Sequence, residues 1–417
     1  MSVDERLERI NLIVVQPHGR SGSLFLQSLF DGHPQVTTLP HFGPIFGEIA
    51  ARIDDPASHL DAFIRRGPHL FDSAQGYFGD GTRSVSGAFG STFSDRLRVD
   101  PTVFRSAALR IFRRVGPHPF SRATFFRVVH LAYAECVRGA APDLKFILYH
   151  PHNYAERNEL LAAFPHLRFI AMTRDPRQDW ESWRRVLALR ARTSLDRLSP
   201  VFMLTTGAAY ADLVGHLRQT AQELGPDALR VIDLPTLHRL GSTAMHRLCE
   251  WLDISYDECL TRSTFNGVAW AGNAADRSIR TGFQPGTVMD RWRDELPSDE
   301  AAVLSSLLSG AIEWLRYEPG AQIDVGAYFR SRSGFGPAAL HIAQKQRMDA
   351  RDLMMARPDD RMKTRLGRPF ATALAVARDV RAEVTRYRRG DYAAFPASVT
   401  TSPDRSGGPA PAALFLA

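Results

Sequence analysis

The run Asn11-Leu-Ile-Val-Val-Gln16 leads into Pro17-His-Gly-Arg-Ser-Gly-Ser23 and then Leu24-Phe-Leu-Gln-Ser-Leu-Phe30. A glycine-containing turn between a buried strand and an amphipathic helix is an anion cradle. Backbone N–H groups at a helix N-terminus point outward, and the helix dipole favours negative charge there. Gly19 and Gly22 let the backbone approach a phosphate closely. Arg20 adds a full positive charge, and Ser21 and Ser23 add hydroxyl donors. Gly32-His-Pro34 carries helix-stop residues. The pattern GxxxxGK[ST] requires a lysine that this turn lacks, so it is not a Walker-type loop with its magnesium-binding hydroxyl. Strand–turn–helix junctions with Gly and Ser are common, and the segment alone reads equally as a phosphate site or an ordinary junction.

A second constellation lies in Phe169-Ile-Ala-Met-Thr-Arg-Asp-Pro-Arg-Gln-Asp-Trp-Glu-Ser-Trp183. Arg174 stands at the C-terminal end of an apolar run. Asp175 is suited to cap the helix that follows, and Pro176 is pre-shaped for its first position. Ser182 lies eight residues beyond Arg174. Trp180, Trp183 and Leu187 have the spacing of an apolar helix face and read as core. An isolated arginine at a strand end reads first as an ion-pair partner.

The elements that must position these residues follow from hydrophobic patterning. Short apolar runs at 11–16, 144–149, 167–172 and 229–234 read as parallel strands buried on both faces. Helical patterns lie at about 22–31, 153–163, 177–192, 205–224 and 236–252. The alternation predicts a doubly wound α/β fold. Residues 43–142 interrupt it and read as a largely helical insertion between the first and second core strands, with a Gly/Ser-rich stretch from Gly76 to Ser94 that is a surface loop or a lid. Residues 321–395 form a helix-rich, arginine-rich extension, and 396–417 a flexible Pro/Ser/Gly/Ala tail.

Composition bounds the function. Hydrophobic residues make up 44% of the 417 and charged residues 23%, enough for packed cores and against global disorder. No apolar run reaches the ~20 residues of a membrane span, and the N-terminus lacks an apolar leader, so the expected location is cytoplasmic. Cys136, Cys249 and Cys259 form no metal-ligand spacing, which points to no metal site. The net charge is +7, and only three of the 52 basic residues are lysine. Anionic ligands would therefore meet planar, bidentate guanidinium groups. Charge alone does not choose between nucleotides, acidic glycans and nucleic acid. A nucleic-acid role would need a basic face with stacking aromatics that the sequence does not display.

Val15-Gln-Pro-His-Gly-Arg-Ser-Gly-Ser-Leu-Phe-Leu-Gln-Ser-Leu-Phe-Asp-Gly-His-Pro-Gln-Val36 resembles the opening motif of the sulfotransferase superfamily that uses 3′-phosphoadenosine 5′-phosphosulfate (PAPS). The resemblance extends over roughly residues 10–318. It implies a three-layer P-loop-type α/β fold over residues 1–320, PAPS as cosubstrate and PAP as product. By position, Gly19, Arg20, Ser21, Gly22, Ser23 and Leu24 would hold the 5′-phosphosulfate, with Leu24 replacing a residue that is often Thr. Arg174 and Ser182 keep the family's eight-residue spacing for the 3′-phosphate. Val231-Ile-Asp-Leu234 and Met289-Asp-Arg-Trp-Arg-Asp-Glu-Leu296 echo two further family segments, the second adding Arg291 or Arg293 near the nucleotide.

For the general base the resemblance offers two histidines. His150, in Leu148-Tyr-His-Pro-His-Asn153, matches a base at a strand end, although Leu148 or Tyr149 replaces the family's lysine. His41, in Leu39-Pro-His-Phe42, has the spacing from Arg20 at which one branch carries a glutamate base. Together with Arg20 as leaving-group stabiliser, these are the candidate catalytic residues. The implied activity is sulfuryl transfer from PAPS to a hydroxyl acceptor, a carbohydrate or small metabolite. The alternative is a catalytically impaired PAP/PAPS-binding protein with a scaffold role.

Overall fold

The structure is a computed structural model. It describes residues 7–17, 20–41, 43–75, 89–90, 94–139, 143–151, 154, 156–191, 200–272, 281–286, 290–325, 328 and 412–415. The Gly76–Ser94 stretch is therefore largely outside the described residues, as are most of the arginine-rich extension and the tail. The chain divides into two compact units. Unit 1 comprises 1–173, 220–289 and 413–417, and unit 2 comprises 174–219 and 290–412.

Unit 1 is built on a five-stranded sheet of β1 (Asn11–Pro17), β2 (Val36–Thr38), β5 (Phe146–Tyr149), β6 (Arg168–Thr173) and β7 (Leu229–Asp233), in the order β2-β5-β1-β6-β7. All four pairings are parallel: Asn11 opposes Phe146, Ile13 opposes Arg168, Val36 opposes Phe146 and Phe169 opposes Leu229. Two short antiparallel ribbons complete the strands: β3 (Arg52–Ile53) with β4 (Phe120–Ser121), and β8 (Thr264–Phe265) with β9 (Val268–Ala269). The continuous apolar runs are explained by burial on both faces. Ile13, Val15, Leu148, Ile170 and Met172 pack with Leu26, Leu29 and Met245 on one side, and the intervening Leu12, Val14, Ile147, Phe169 and Ala171 are equally buried.

Four of the five strands are those the sequence predicts, each shifted by at most two residues. The fifth, β2, carries too few residues to register as a pattern, and the insertion accordingly follows β2. The helical pattern at 236–252 is two helices, Leu234–Leu240 and Ser242–Leu252. They are separated by Gly241 at φ 55°, a left-handed conformation that favours glycine. The insertion contributes helices Pro56–Arg66, Pro101–Val115 and Arg122–Arg138. The first two begin on an Asp-Pro pair, with Asp55 and Asp100 accepting from N–H groups of the first turn.

Unit 2 is helical among the described residues. It contains Pro176–Ala191, most of Pro200–Leu224, Trp292–Glu295, Ser298–Leu307 and Ser309–Trp314. Within the tail, Ala412–Leu414 form a 3-10 turn, Leu414 is buried, and Phe415 bridges Val231 on β7. No helix of the described residues is long and apolar enough to cross a membrane.

Candidate active site

The sheet order sets where a ligand of unit 1 would meet the chain. After β1 the chain moves to β2 at one edge, whereas β6 and β7 build the other side, so β1 is the switch point of the topology. Ligands of open α/β sheets bind outside the carboxyl ends of the strands at such a point. The segment leaving β1 is the glycine-containing turn.

Of that turn, His18 and Gly19 lie outside the described residues. Arg20 has φ 71° and Gly22 φ 83°, while Ser21 between them has negative φ. Alternating signs of φ curl successive N–H groups toward one side, the geometry of an anion nest. The helix Ser23–Leu29 follows with Gly22 as its N-cap and no side chain capping it. Gly22 has no side chain with which to cap the helix's first N–H groups. The glycine at 22 is required twice over. Its φ is left-handed, and a Cβ built there would stand 2.3 Å from Leu234 Cδ1. Ser21 and Ser23 are buried. Leu24 packs against the apolar cluster of Phe89, Leu97, Phe265 and Trp270, which accounts for an apolar residue where Thr is frequent.

One turn into the helix, Gln27 is 1% exposed and joins the two candidate bases. Its Nε2 donates to Thr38 Oγ1 (3.0 Å), Leu39 O (2.7 Å) and His41 O (3.0 Å). Its Oε1 lies 3.0 Å from His150 Nδ1. His150, 2% exposed at the end of β5, also accepts from Gly43 N through its carbonyl (2.8 Å). The ring of His41 has a different partner. Its Nδ1 is 2.8 Å from His69 Nε2, with the rings stacked 5.0 Å apart. His150 is therefore tied through its ring to the helix that carries the turn, and His41 meets the same helix through its backbone carbonyl.

The residues at the family's lysine positions are committed elsewhere. Leu148 is part of the apolar core. The Tyr149 hydroxyl accepts from Ile45 N (2.9 Å) and Phe46 N (3.1 Å) and donates to Glu156, whose other oxygen accepts from Gly47 N. Burial pushes the Tyr149 phenol well above its ordinary range and raises the Glu156 carboxyl. This network straps 45–47 to the end of β5 and so fixes the segment that carries His41.

Unit 2 holds the second constellation. Arg174 follows directly on β6, is buried, and accepts from the Tyr210 hydroxyl through its carbonyl. Asp175 caps the next helix, accepting from Arg177 N at 2.8 Å. Ser182 is buried on the same helix. Arg291 is half-buried and precedes Trp292, whose N–H donates to Gln178 Oε1 (3.1 Å) and whose ring lies under Arg177 (4.1 Å) and Arg293 (4.6 Å). Among the described residues, no group of three or more His, Cys, Asp and Glu side chains is placed to hold a metal.

The family profile described as "Sulfotransferase family" matches residues 13–258, from the middle of β1 to the loop after helix Ser242–Leu252. The chain belongs to the sulfotransferase family. Among solved structures, the chain is similar to a sulfotransferase domain from the curacin biosynthetic pathway, at 13% identity and TM-score 0.42, covering 74% of this chain and 98% of that one. The sulfotransferase domain of the Synechococcus PCC 7002 olefin synthase matches at 14% identity and TM-score 0.39, over 68% of this chain and 88% of that one. Sulfotransferase STF9 from Mycobacterium avium matches at 14% identity and TM-score 0.36, over 75% and 79%. No curated protein sequence matches the chain.

Gln27 is the site residue that motif reasoning missed. Its signal was present: Leu24-Phe-Leu-Gln-Ser-Leu-Phe30 has too few polar residues for a solvated face. A helix apolar all round is buried, and the polar residues within it need partners.

Proposed function

We propose that the protein transfers the sulfuryl group of PAPS to a hydroxyl acceptor, a carbohydrate or small metabolite, in the cytoplasm. The observation that carries this reading is the turn with left-handed Arg20 and Gly22, opening into an uncapped helix at the end of the switch-point strand, in a chain of the sulfotransferase family. Gly19, Arg20, Ser21, Gly22, Ser23 and Leu24 hold the 5′-phosphosulfate. The resemblance of the Arg174–Ser182 spacing to the family's pattern supports these two residues as the holders of the 3′-phosphate, with Arg291 as an added charge.

In the transfer, the acceptor oxygen forms a bond to sulfur while the bond from sulfur to the phosphate oxygen breaks, and the electron pair stays on the phosphate of PAP. Arg20 and the N–H groups of the turn meet the negative charge that develops there, which is where electrostatic stabilisation acts. His150 takes the acceptor proton. Positioning and charge stabilisation supply the rate, by analogy with phosphoryl transfer. The commitment of Leu148 to the core and of Tyr149 to Glu156 leaves the family's lysine without an equivalent at this strand end. That favours, as the second reading, a PAP-binding protein with weak turnover.

Calorimetric titration with PAP in EDTA tests the nucleotide assignment. The expected result is binding that Arg174→Ala weakens by about 2–4 kcal/mol, the scale of a charge-assisted contact. No binding, or unchanged affinity in the variant, overturns it. Release of PAP from PAPS across a panel of hydroxylated acceptors then separates the two readings.

A further inference from the structure

The amide of Gln27 has only one workable orientation. Leu39 O and His41 O are carbonyl acceptors, 2.7 Å and 3.0 Å from Nε2. Thr38 Oγ1 donates its own proton to Leu39 O (3.2 Å) and so presents a lone pair to the same nitrogen. Turning the amide over would press its oxygen against two carbonyl oxygens inside a buried site, where unpaired polar groups are costly. The NH₂ group therefore faces the 38–41 segment and the oxygen faces His150.

A carboxamide oxygen can only accept. The atom 3.0 Å from it, His150 Nδ1, must carry a proton. We infer that Gln27 is a positioning residue that holds the neutral His150 ring in the Nδ1–H tautomer and leaves the lone pair on Nε2. The residue is also anchored at its main chain, where the His150 carbonyl accepts from Gly43 N. A single side chain of the anion-turn helix thereby sets both the place and the basic nitrogen of the histidine at the end of β5. The 38–41 segment contributes by orienting the amide. The catalytic meaning rests on the reading of His150 as general base, with Nε2 as the atom that accepts the proton of the acceptor hydroxyl. The tautomer itself does not depend on that reading.

The test is a long-range ¹H–¹⁵N correlation spectrum of the full chain with ¹⁵N-labelled histidine rings, at a pH where the rings are neutral. His150 is assigned by the signals lost in His150→Ala. The expected wild-type pattern has a protonated Nδ1 and a pyridine-type Nε2. In Gln27→Met the ratio shifts toward Nε2–H by about 5- to 10-fold, the loss of one ordinary hydrogen bond. A protonated Nε2 in the wild type overturns the inference, as does an unchanged ratio in a folded Gln27→Met. The wild-type spectrum needs no variant, so misfolding of Gln27→Met leaves the tautomer decided. Sulfuryl transfer from labelled PAPS is measured alongside in His150→Ala. Full turnover there with an Nδ1–H wild-type ring removes the base reading and keeps the tautomer lock. Lost turnover with an Nε2–H ring does the reverse.

Discussion

At the C-terminal edge of the sheet in unit 1, Gln27, Tyr149 and His150 are buried through hydrogen bonds that involve amide, hydroxyl and imidazole groups. Behind them His130, fully buried in helix Arg122–Arg138, is held neutral, its pKa lowered to about 4 by burial. Helix Pro176–Ala191 of unit 2 does the opposite. Arg177, Asp179, Glu181 and Arg184 are all buried in its first turns. Arg177 is 1% exposed and forks onto Asp175, Nε to Oδ1 at 2.9 Å and Nη2 to Oδ2 at 2.6 Å. Trp180 Nε1 donates to Glu300 (2.8 Å), which Arg184 also approaches (3.4 Å). The first arrangement fixes which atom carries a proton and depends on shape. The second fixes a balance of charge and depends on every partner being present.

Removing one partner from the ionic region gives the largest expected effect. Asp175→Ala strips Arg177 of its carboxylate and the helix of its cap. The expected loss is about 3–5 kcal/mol, read as a lower denaturation midpoint, because a buried charge is left uncompensated. Asp175→Ala with Arg177→Met should recover part of it. A single variant within 1 kcal/mol of wild type (about the scale of an exposed pair) would erase the contrast between the regions.

A change of shape in the hydrogen-bonded region comes next. Gly22→Ala forces a left-handed alanine and brings its Cβ onto Leu234. Strain and overpacking together should cost about 2–4 kcal/mol. Leu234→Ala in the same chain should relieve the packing part and not the backbone part. Full additivity of the two substitutions would show that the contact is not what excludes a side chain.

The third effect is titration. Because the folded His130 pKa is about 4 and lies below its ordinary 6.5, the unfolded chain binds the proton first as pH falls. This group's contribution is therefore intact above pH 6.5 and is lost progressively toward pH 4, to a total of up to about 3 kcal/mol. His33, also lowered by burial, acts in the same direction. Subtracting the stability–pH curve of His130→Leu from that of wild type should isolate the step. A flat difference curve would mean that His130 is not buried neutral.

These regions also differ in how far the sequence disclosed them. The turn after β1 was legible as a strand–turn–helix junction from its glycines and serines, and only the longer resemblance from Val15 to Val36 set it apart from ordinary junctions. The Asp175-Pro176 helix start was legible from capping chemistry. The apolar strands announced themselves by burial on both faces, except β2, whose Val36–Thr38 is too short for any period. The buried charges of 176–191 were not legible. Arg177, Glu181 and Arg184 fall on one side of the helix and Asp179 on another, residue types that ordinarily face water, and only tertiary structure shows that they are covered. The partners of Gln27 and Tyr149 were hidden for a related reason. Thr38, Leu39 and His41 lie eleven or more residues from Gln27, and Ile45 lies over a hundred from Tyr149. No local pattern encodes such pairings.

The strand order has a consequence for how the molecule forms. β1 has no neighbour close in sequence: Asn11 waits for Phe146, and Ile13 for Arg168. Every pairing of the central strand is thus long-range, the condition under which two-state chains fold slowly. On a ribosome adding about 5–20 residues per second, β1 emerges on the order of 10 s before its first partner. Throughout that interval an apolar strand, with the glycine-containing turn attached, has no sheet edge to join. The strand at the centre of the sheet is thus made long before the residues that complete the sheet exist.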